Sequence, residues 1–358
     1  MDFVLPKKLL AEMVEVVSVA LTKKPMFESQ KFIVFRTFDN GLLLSTMGPD
    51  LAVQIFEPVP MPSNLEFGVD GYLLSDIVNK LQGEDVRLSL NMETLGLNIK
   101  SKRTSVNMNV VGGDSFPVMY NYQHMPFVKT HGLLDSVKSV SFAASRDENR
   151  VQLMGVLVNE TEVVATDGFR MAIKEHNTDL SSLVDSTKYD TIIPIASVEK
   201  LQKIFKEQEL NVFADDSSMH FNNGKVAATL RKIDKTYPKY RGIVPVDGHD
   251  VLAVRKDDLI KALEFVQIAD EDDTVNMDLT ENVLKIWANS SKLSNIEEEL
   301  EVSFNNACEL MVDARFFLDV AKRSKNDTIS IEIRGPKKPI VIREEGATHV
   351  IMPKIRKR

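Results

Sequence analysis

The sequence predicts an α+β protein built as three tandem copies of one unit, each with two helices packed on antiparallel sheets. Three observations carry that prediction. Amphipathic and β-favouring stretches alternate in the same order three times along the 358 residues. Equivalent stretches recur at roughly 120 residues, the length of a domain and too long for a solenoid repeat. Segments rich in Pro, Gly, Asn and Asp fall where one copy hands over to the next. The copies are placed at 1–122, 128–247 and 250–358, with connectors near 121–130 and 245–253, around NYQHMPFVKTHG and PVDGHD.

Each copy opens with a helix. Leu10, Met13, Val14, Val17 and Leu21 share one helical face, as do Leu133, Val137, Val140 and Ala144, and then Leu259, Leu263 and Val266. Pro6, and Asp257 or Asp258, are the expected helix starts, and Pro25 lies past the first helix. A strand running into a sharp loop follows: GLLLSTMGPD at 41–50, EVVATDGFRM at 162–171 and VLKIWANSSK at 283–292. A second helix comes next. Asp70 caps one carrying Leu73, Leu74, Ile77, Val78 and Leu81. Another runs from Ala196 with Val198, Leu201, Ile204 and Phe205, and Asp313 caps a third with Phe316, Phe317, Val320 and Ala321. VRLSLNMETLGLNI, LNVFADDSSMHF and ISIEIRGPKKPIVI then supply strands, and Phe116-Pro117 and Tyr237-Pro238 close the first two copies alike.

With 43% hydrophobic and 27% charged residues, the composition is that of an ordinary soluble protein. No apolar run approaches the roughly 20 residues that cross a bilayer. The stretch from Leu9 to Leu21 is broken by Glu12 and Glu15. A single cysteine, Cys308, excludes an internal disulfide and fits a reducing compartment, so a cytoplasmic location is expected. The net charge of −8 argues against a uniformly basic nucleic-acid coat. It leaves room for one confined basic surface.

Signals for catalysis are weak. The histidines at 124, 131, 176, 220, 249 and 349 show no metal-binding spacing, and there is no CxxC, GxSxG or GxGxxG. Gly224-Lys225 lacks the rest of a phosphate loop and reads as a hairpin turn. Two acidic clusters, Asp270–Asp273 and Glu297–Glu299 with Glu301, leave a metal-dependent nuclease or phosphatase open, against a solvated loop and a charged strand face. Basic residues recur on or beside the helices of every copy. They are Lys7, Lys8, Lys23 and Lys24; Lys138 and Arg146; Lys256 and Lys261; Lys80; Lys200, Lys203 and Lys206; and Lys322, Arg323 and Lys325. That recurrence fits a shared surface that holds phosphates without reading bases.

Several segments are specific. VSFAASRDENRVQLMGVLVN followed by VVATDGFRMAI, then DKTYPKYRGIVP, then the terminal HVIMPKIRKR, resemble in order the bacterial DNA polymerase III beta subunit family. The resemblance implies three similar clamp domains per chain, two chains closing head to tail into a six-domain ring, and a non-enzymatic sliding clamp with no cofactor and no metal. Its partners would be encircled double-stranded DNA, the replicative polymerase and a clamp loader. The latter two would dock short peptides in a cleft formed by Leu153, Thr166, Gly168, Phe169, Arg170, Met171, Pro238, Ile243, Val350, Ile351, Met352 and Pro353. DNA contacts would come from Lys24, Lys80, Arg146, Arg150, Lys200 and Lys203. The dimer contact would set Val106 and Met108 against the Ile268 region. Phe169, Met171 and Gly242 stand where the family usually has histidine, leucine and a second arginine, and the tail 354–358 is longer and more basic. These departures point to a divergent or phage-encoded member with its own peptide preference. A triplicated peptide-binding adaptor that forms no ring is the remaining alternative.

Overall fold

The computed structural model describes residues 2–61, 65–113, 116, 122, 125–181, 191–206, 209–246, 250–269, 273–289, 295–304 and 306–355. Parts of both expected connectors, Pro117, His124, His249, the acidic residues 270–272 and the basic residues 356–358 lie outside them.

Helices form at the six places where apolar spacing and caps predict them: α1 (Lys7–Ser18), α2 (Gly71–Lys80), α3 (Leu133–Ser141), α4 (Ile195–Ile204), α5 (Lys256–Val266) and α6 (Ala314–Ala321). Asp70 Oδ1 accepts from the Leu73 amide at 2.9 Å and Asp313 Oδ1 from the Arg315 amide at 3.1 Å, so both expected caps are made. Pro6 occupies the cap position of α1. The start of α5 differs, with Arg255 at the cap and Asp257 and Asp258 inside the first turn. Carboxylates there face the positive end of the helix dipole instead of capping an amide. Leu21 and Ala144 fall beyond their helices yet stay buried, because the chain turns without leaving the core.

Contacts divide the chain into two compact units: Met1–Leu134 with Leu180–Asp185 and Ala196–Lys232, and Asp135–Asp179 with Ser186–Ile195 and Ile233–Arg358. In the first, a four-stranded antiparallel sheet runs Asp2–Pro6, Asp85–Asn91, Gly96–Ser101, Thr104–Asn109. A nine-stranded sheet runs Val128–His131, Glu209–Ala214, Ser218–Asn222, Val226–Arg231, Leu51–Glu57, Gly41–Met47, Phe32–Phe38, Glu66–Asp70, Val111–Gly112. Helix α1 packs on α2 and on strands Gly41–Met47 and Leu51–Glu57, burying Leu10, Met13, Val14 and Val17. Gly224, at φ +92°, makes the hairpin turn between Ser218–Asn222 and Val226–Arg231, a backbone conformation that strains any residue with a Cβ.

In the second unit, an eight-stranded sheet runs Thr191–Pro194, Gly155–Val158, Glu162–Thr166, Arg170–Glu175, Ala347–Ile351, Ile340–Glu344, Thr328–Ile333, Asp250–Arg255. A four-stranded sheet runs Ile296–Glu301, Val283–Ala288, Thr274–Thr280, Cys308–Asp313. Helices α5 and α6 pack together, and Leu259, Leu263, Val266, Phe317 and Val320 join the adjoining core.

Both large sheets are joined by one rule. The third strand after the second helix of one sequence copy pairs with the third strand after the first helix of the copy before it. Val226 lies opposite Ile55 and Leu230 opposite Leu51. Met171 lies opposite Val350 in the same antiparallel manner. The rule leaves Thr104–Asn109 and Ile296–Glu301 as its two unused strands, and both are sheet edges among the described residues.

Candidate partner-peptide groove

The second join carries the groove. Antiparallel pairing sets Arg170 opposite Ile351, Met171 opposite Val350 and Ile173 opposite Thr348. Side chains alternate along a strand, so Met171, Ile173, Val350 and Thr348 share one face. There Met171 and Val350 join Leu153, Leu157, Val164, Ile192, Tyr237, Tyr240 and Val341 in a buried apolar cluster, with Ile173 and Val244 half-buried against it. Beside this floor stand Phe169, 58% exposed, and Ile243, 48% exposed. Pro238 is exposed, Thr166 and Met352 are half-buried, and Pro353 is buried.

The turn that holds Phe169 out is locally determined. Gly168 takes φ +91°, which its lack of a Cβ permits. Thr166 Oγ1 accepts from the Gly168 amide at 3.0 Å and donates to Arg170 O at 2.6 Å. Asp167 Oδ1 accepts from the Phe169 and Arg170 amides, both at 2.9 Å. The Met352 amide then donates to Phe169 O at 2.9 Å, which ties the turn to the C-terminal strand. TDGFRM thus builds a rigid mount for one exposed aromatic ring.

Two residues expected to line the cleft face the other way. Ile351 is buried in the core around α5 and α6. Arg170, with only 14% of its side chain exposed, is pinned on that same side. Its guanidinium meets Asp319 at 2.5 Å and Asp167 at 3.0 Å and donates to Phe142 O at 2.8 Å. It also lies over the Phe316 ring at 4.6 Å and near Phe142 at 5.4 Å. The reason is the strand's alternation: a residue next to Met171 must point to the opposite face. Arg170 acts as a clasp between the turn and α6.

The sequence reading missed the polar wall of the groove. Tyr240 donates to Glu162 and accepts from Asn159 Nδ2 at 2.7 Å, while Arg241 meets Glu162 at 2.8 Å. Burial, together with the Glu162 carboxylate, pushes the Tyr240 phenol up to about 12, and burial raises Tyr237 as well. Ile173, Val244, Tyr240 and Thr348 continue from the floor into a hollow of about 250 Å³ beside Glu162 and Arg241. YPKYRG is expected to supply Pro238 to the cleft, and its two tyrosines are the signal for this wall.

The expected DNA-contact residues fall as follows. Lys24 is exposed in the loop after α1, and Lys80 is exposed at the last position of α2. Lys200 and Lys203 lie on α4, the first half-buried and the second exposed. Arg146 is exposed after α3. Arg150 is drawn toward the groove, donating to Asp167 O at 3.1 Å and lying 5.8 Å from the Phe169 ring centroid. Of the expected dimer contacts, Ile268 is exposed and Val106 half-buried, but Met108 is buried in its own sheet and turned from the edge. Of the acidic clusters, Asp273 pairs with Arg315 at 3.1 Å and Glu297 with Lys285 at 2.6 Å. Among the described residues no three His, Cys, Asp or Glu side chains gather as a metal site would require, and no helix is long and apolar enough to cross a membrane.

Comparison with known families decides the relationship. Residues 128–239 match the central domain of the DNA polymerase III beta subunit, and residues 241–355 its C-terminal domain, together more than half the chain. The chain belongs to the DNA polymerase III beta-subunit family. A beta sliding clamp of Staphylococcus aureus is 23% identical over 300 residues, covering 79% of this chain and 78% of that one. Among solved structures, the DNA polymerase sliding clamp of Caulobacter crescentus aligns with a TM-score of 0.91 at 21% identity, over 99% of this chain and 100% of that chain. The DNA polymerase III subunit beta of Pseudomonas aeruginosa aligns at 0.90 and 18%, with the same coverage. At these identities the structural likeness speaks for the clamp fold. The beta-subunit family also accounts for TDGFRM and VIMP meeting on one sheet, with the tyrosines of YPKYRG packed against it.

Proposed function

We propose that this chain is a DNA sliding clamp, a non-catalytic ring of two subunits that encircles duplex DNA and tethers a replicative polymerase. Family membership supports the general function. The repeated sheet rule carries the ring. Two of three possible joins between successive copies are made inside one chain, by strands Val226–Arg231 with Leu51–Glu57 and Ala347–Ile351 with Arg170–Glu175. The third strand pair, Thr104–Asn109 and Ile296–Glu301, stands at opposite ends of the repeat order. A partner subunit supplies each complement, head to tail and twice over, which closes a ring and satisfies the open edges. Charge favours this pairing. Ile296–Glu301 carries Glu297, Glu298, Glu299 and Glu301, whereas Lys100, Lys102 and Arg103 lie next to Thr104. The acidic strand belongs to an interface in this reading, and the three domains keep the bounds 1–122, 128–247 and 250–358.

The ring holds DNA by enclosure, so its phosphate contacts stay weak and sequence-independent and the clamp slides. Polymerase and clamp loader dock short peptides in the groove of Leu153, Met171, Val350 and Phe169, where an apolar floor gives affinity. Tethering then raises the local concentration of polymerase at the primer end. Phe169, Met171 and Gly242 give this groove a peptide preference of its own.

Retention on topologically closed DNA tests the proposal. Loaded on nicked circles, the protein stays until the DNA is linearised and then runs off the ends, and its mass in solution is twice the 40.3 kDa chain. Retention that ignores linearisation would refute the ring.

A further inference from the structure

The loop after α1 displays two large apolar side chains that nothing in the fold uses. Met26 is 78% exposed and Phe27 68% exposed. Their positions are set by a buried side chain. Gln30 Oε1 accepts from the Met26 amide at 2.8 Å and from the Phe27 amide at 3.4 Å, and the Gln30 amide donates back to Phe27 O at 3.1 Å. Lys23 and Lys24 precede the pair, both exposed, and the Lys24 amide is held by Thr22 Oγ1 at 3.2 Å. One exposed acid, Glu28, follows. In a chain of net charge −8, this is a small basic site with an aromatic tip.

We propose that Phe27, flanked by Lys23 and Lys24, stacks on an unpaired base of the template strand at a primer–template junction, with Met26 covering its edge. The inference rests on the sliding-clamp reading. The lysines select a polyanion. The ring selects what kind, because an intact duplex buries its base faces in the stack and offers only edges and phosphates. A fixed aromatic face has a nucleic-acid partner only where bases are unstacked, and every base there has a π-face to offer. The junction is also where a polymerase tether must begin work. Duplex sliding is undisturbed, because the ring finds no exposed base until it reaches the junction.

The test titrates the full-length protein into three labelled DNAs at low salt and follows anisotropy: a blunt duplex, the same duplex with a single-stranded template extension, and the single strand alone. The extended duplex should bind about tenfold tighter than the blunt one, the scale of one base–aromatic stack. Phe27→Ala should erase that preference while keeping blunt-duplex affinity and thermal stability, and Phe27→Tyr should retain it. Lys23→Ala with Lys24→Ala should weaken all three DNAs and flatten the salt dependence. Equal affinity of the wild type for both duplexes, or a preference that survives Phe27→Ala, would overturn the proposal while leaving the clamp intact. A change of oligomeric mass in Phe27→Ala would overturn it in favour of a contact between protein copies. Loss of topological retention on circles is a different result and would strike at the clamp reading itself.

Discussion

Replacing Asp319 with alanine separates the two roles that Arg170 could play. The ion pair spans 2.5 Å between side chains 14% and 31% exposed. Hydrogen bonds to charged groups contribute about 1.5–3 kcal/mol, and the partial exposure of Asp319 places this pair at the lower end. Arg170 keeps Asp167 and the Phe142 carbonyl in the variant, so no buried charge is stranded. Asp319→Ala should therefore cost about 1.5 kcal/mol, a fall in Tm of about 3–6 °C for a cooperative unit of this size. Arg170→Ala removes every partner at once and should cost about 3 kcal/mol. Because both variants break the same clasp, the double variant should be hardly worse than Arg170→Ala, leaving a coupling of about 1.5 kcal/mol. Thermal denaturation of the four proteins measures it. Peptide binding, read by anisotropy, should drop by a similar small factor in both single variants, through loss of order in the turn that mounts Phe169. Additivity within about 0.5 kcal/mol, or a loss of peptide affinity confined to Arg170→Ala, would refute the clasp and return the guanidinium to the ligand.

Three further outcomes follow from the same geometry. Phe169→Ala should leave Tm unchanged, because the ring is exposed, yet weaken a bound partner peptide about tenfold by anisotropy, the scale of one aromatic anchor. Reversing the acidic edge with Glu298→Lys and Glu299→Lys should shift the solution mass to the 40.3 kDa monomer, and mixing in a chain with Lys102 and Arg103 reversed to acids should restore the dimer; a chain with only the acidic edge reversed that stays dimeric would exclude this edge. Burial holds His349 down at about 4, against an ordinary imidazole near 6.5. The unfolded chain then binds a proton that the folded chain refuses, so stability falls as pH drops from about 6.5 to about 4, by up to about 3 kcal/mol. A urea titration series of His349→Gln should show a flatter acid limb; burial pushes His176 in the same direction, so some slope remains.

The helices were legible because each carries its own signal, an apolar face at helical spacing with, at Asp70 and Asp313, the capping carboxylate in place. Short motifs named residues that the fold brings together, since Leu153, Met171 and Val350 share one buried apolar cluster. Arg170 departs from the expected lining for a reason the sequence contains: in a strand, arginine and methionine side by side cannot share a face. Strand Val128–His131 begins inside an expected connector, where Val128 and Thr130 already show β-favouring alternation beneath the Pro and Gly signals. The joins between copies were not legible at all. Nothing near Leu51 names Leu230 as its partner, because sheet pairing is decided by tertiary contact and not by local propensity. For the same reason Glu297–Glu299 read as a charged strand face, with nothing in the sequence to mark that strand as a sheet edge.

The join of Leu51–Glu57 to Val226–Arg231 also sets a timetable for synthesis. The first unit cannot finish its large sheet until the chain has been made past residue 231. Until then Leu51, Val53 and Ile55 line a strand with an open side, apolar and β-favouring, which is the kind of surface that nascent chains aggregate through. Pairings between residues so far apart in sequence are also slow to form, since the loop entropy is lost before the contacts reward it. A ribosome stalled in the middle copy would hold a half-sheet in need of a chaperone, whereas one stalled far enough beyond Arg231 for that strand to clear the exit tunnel would carry a unit able to close on itself.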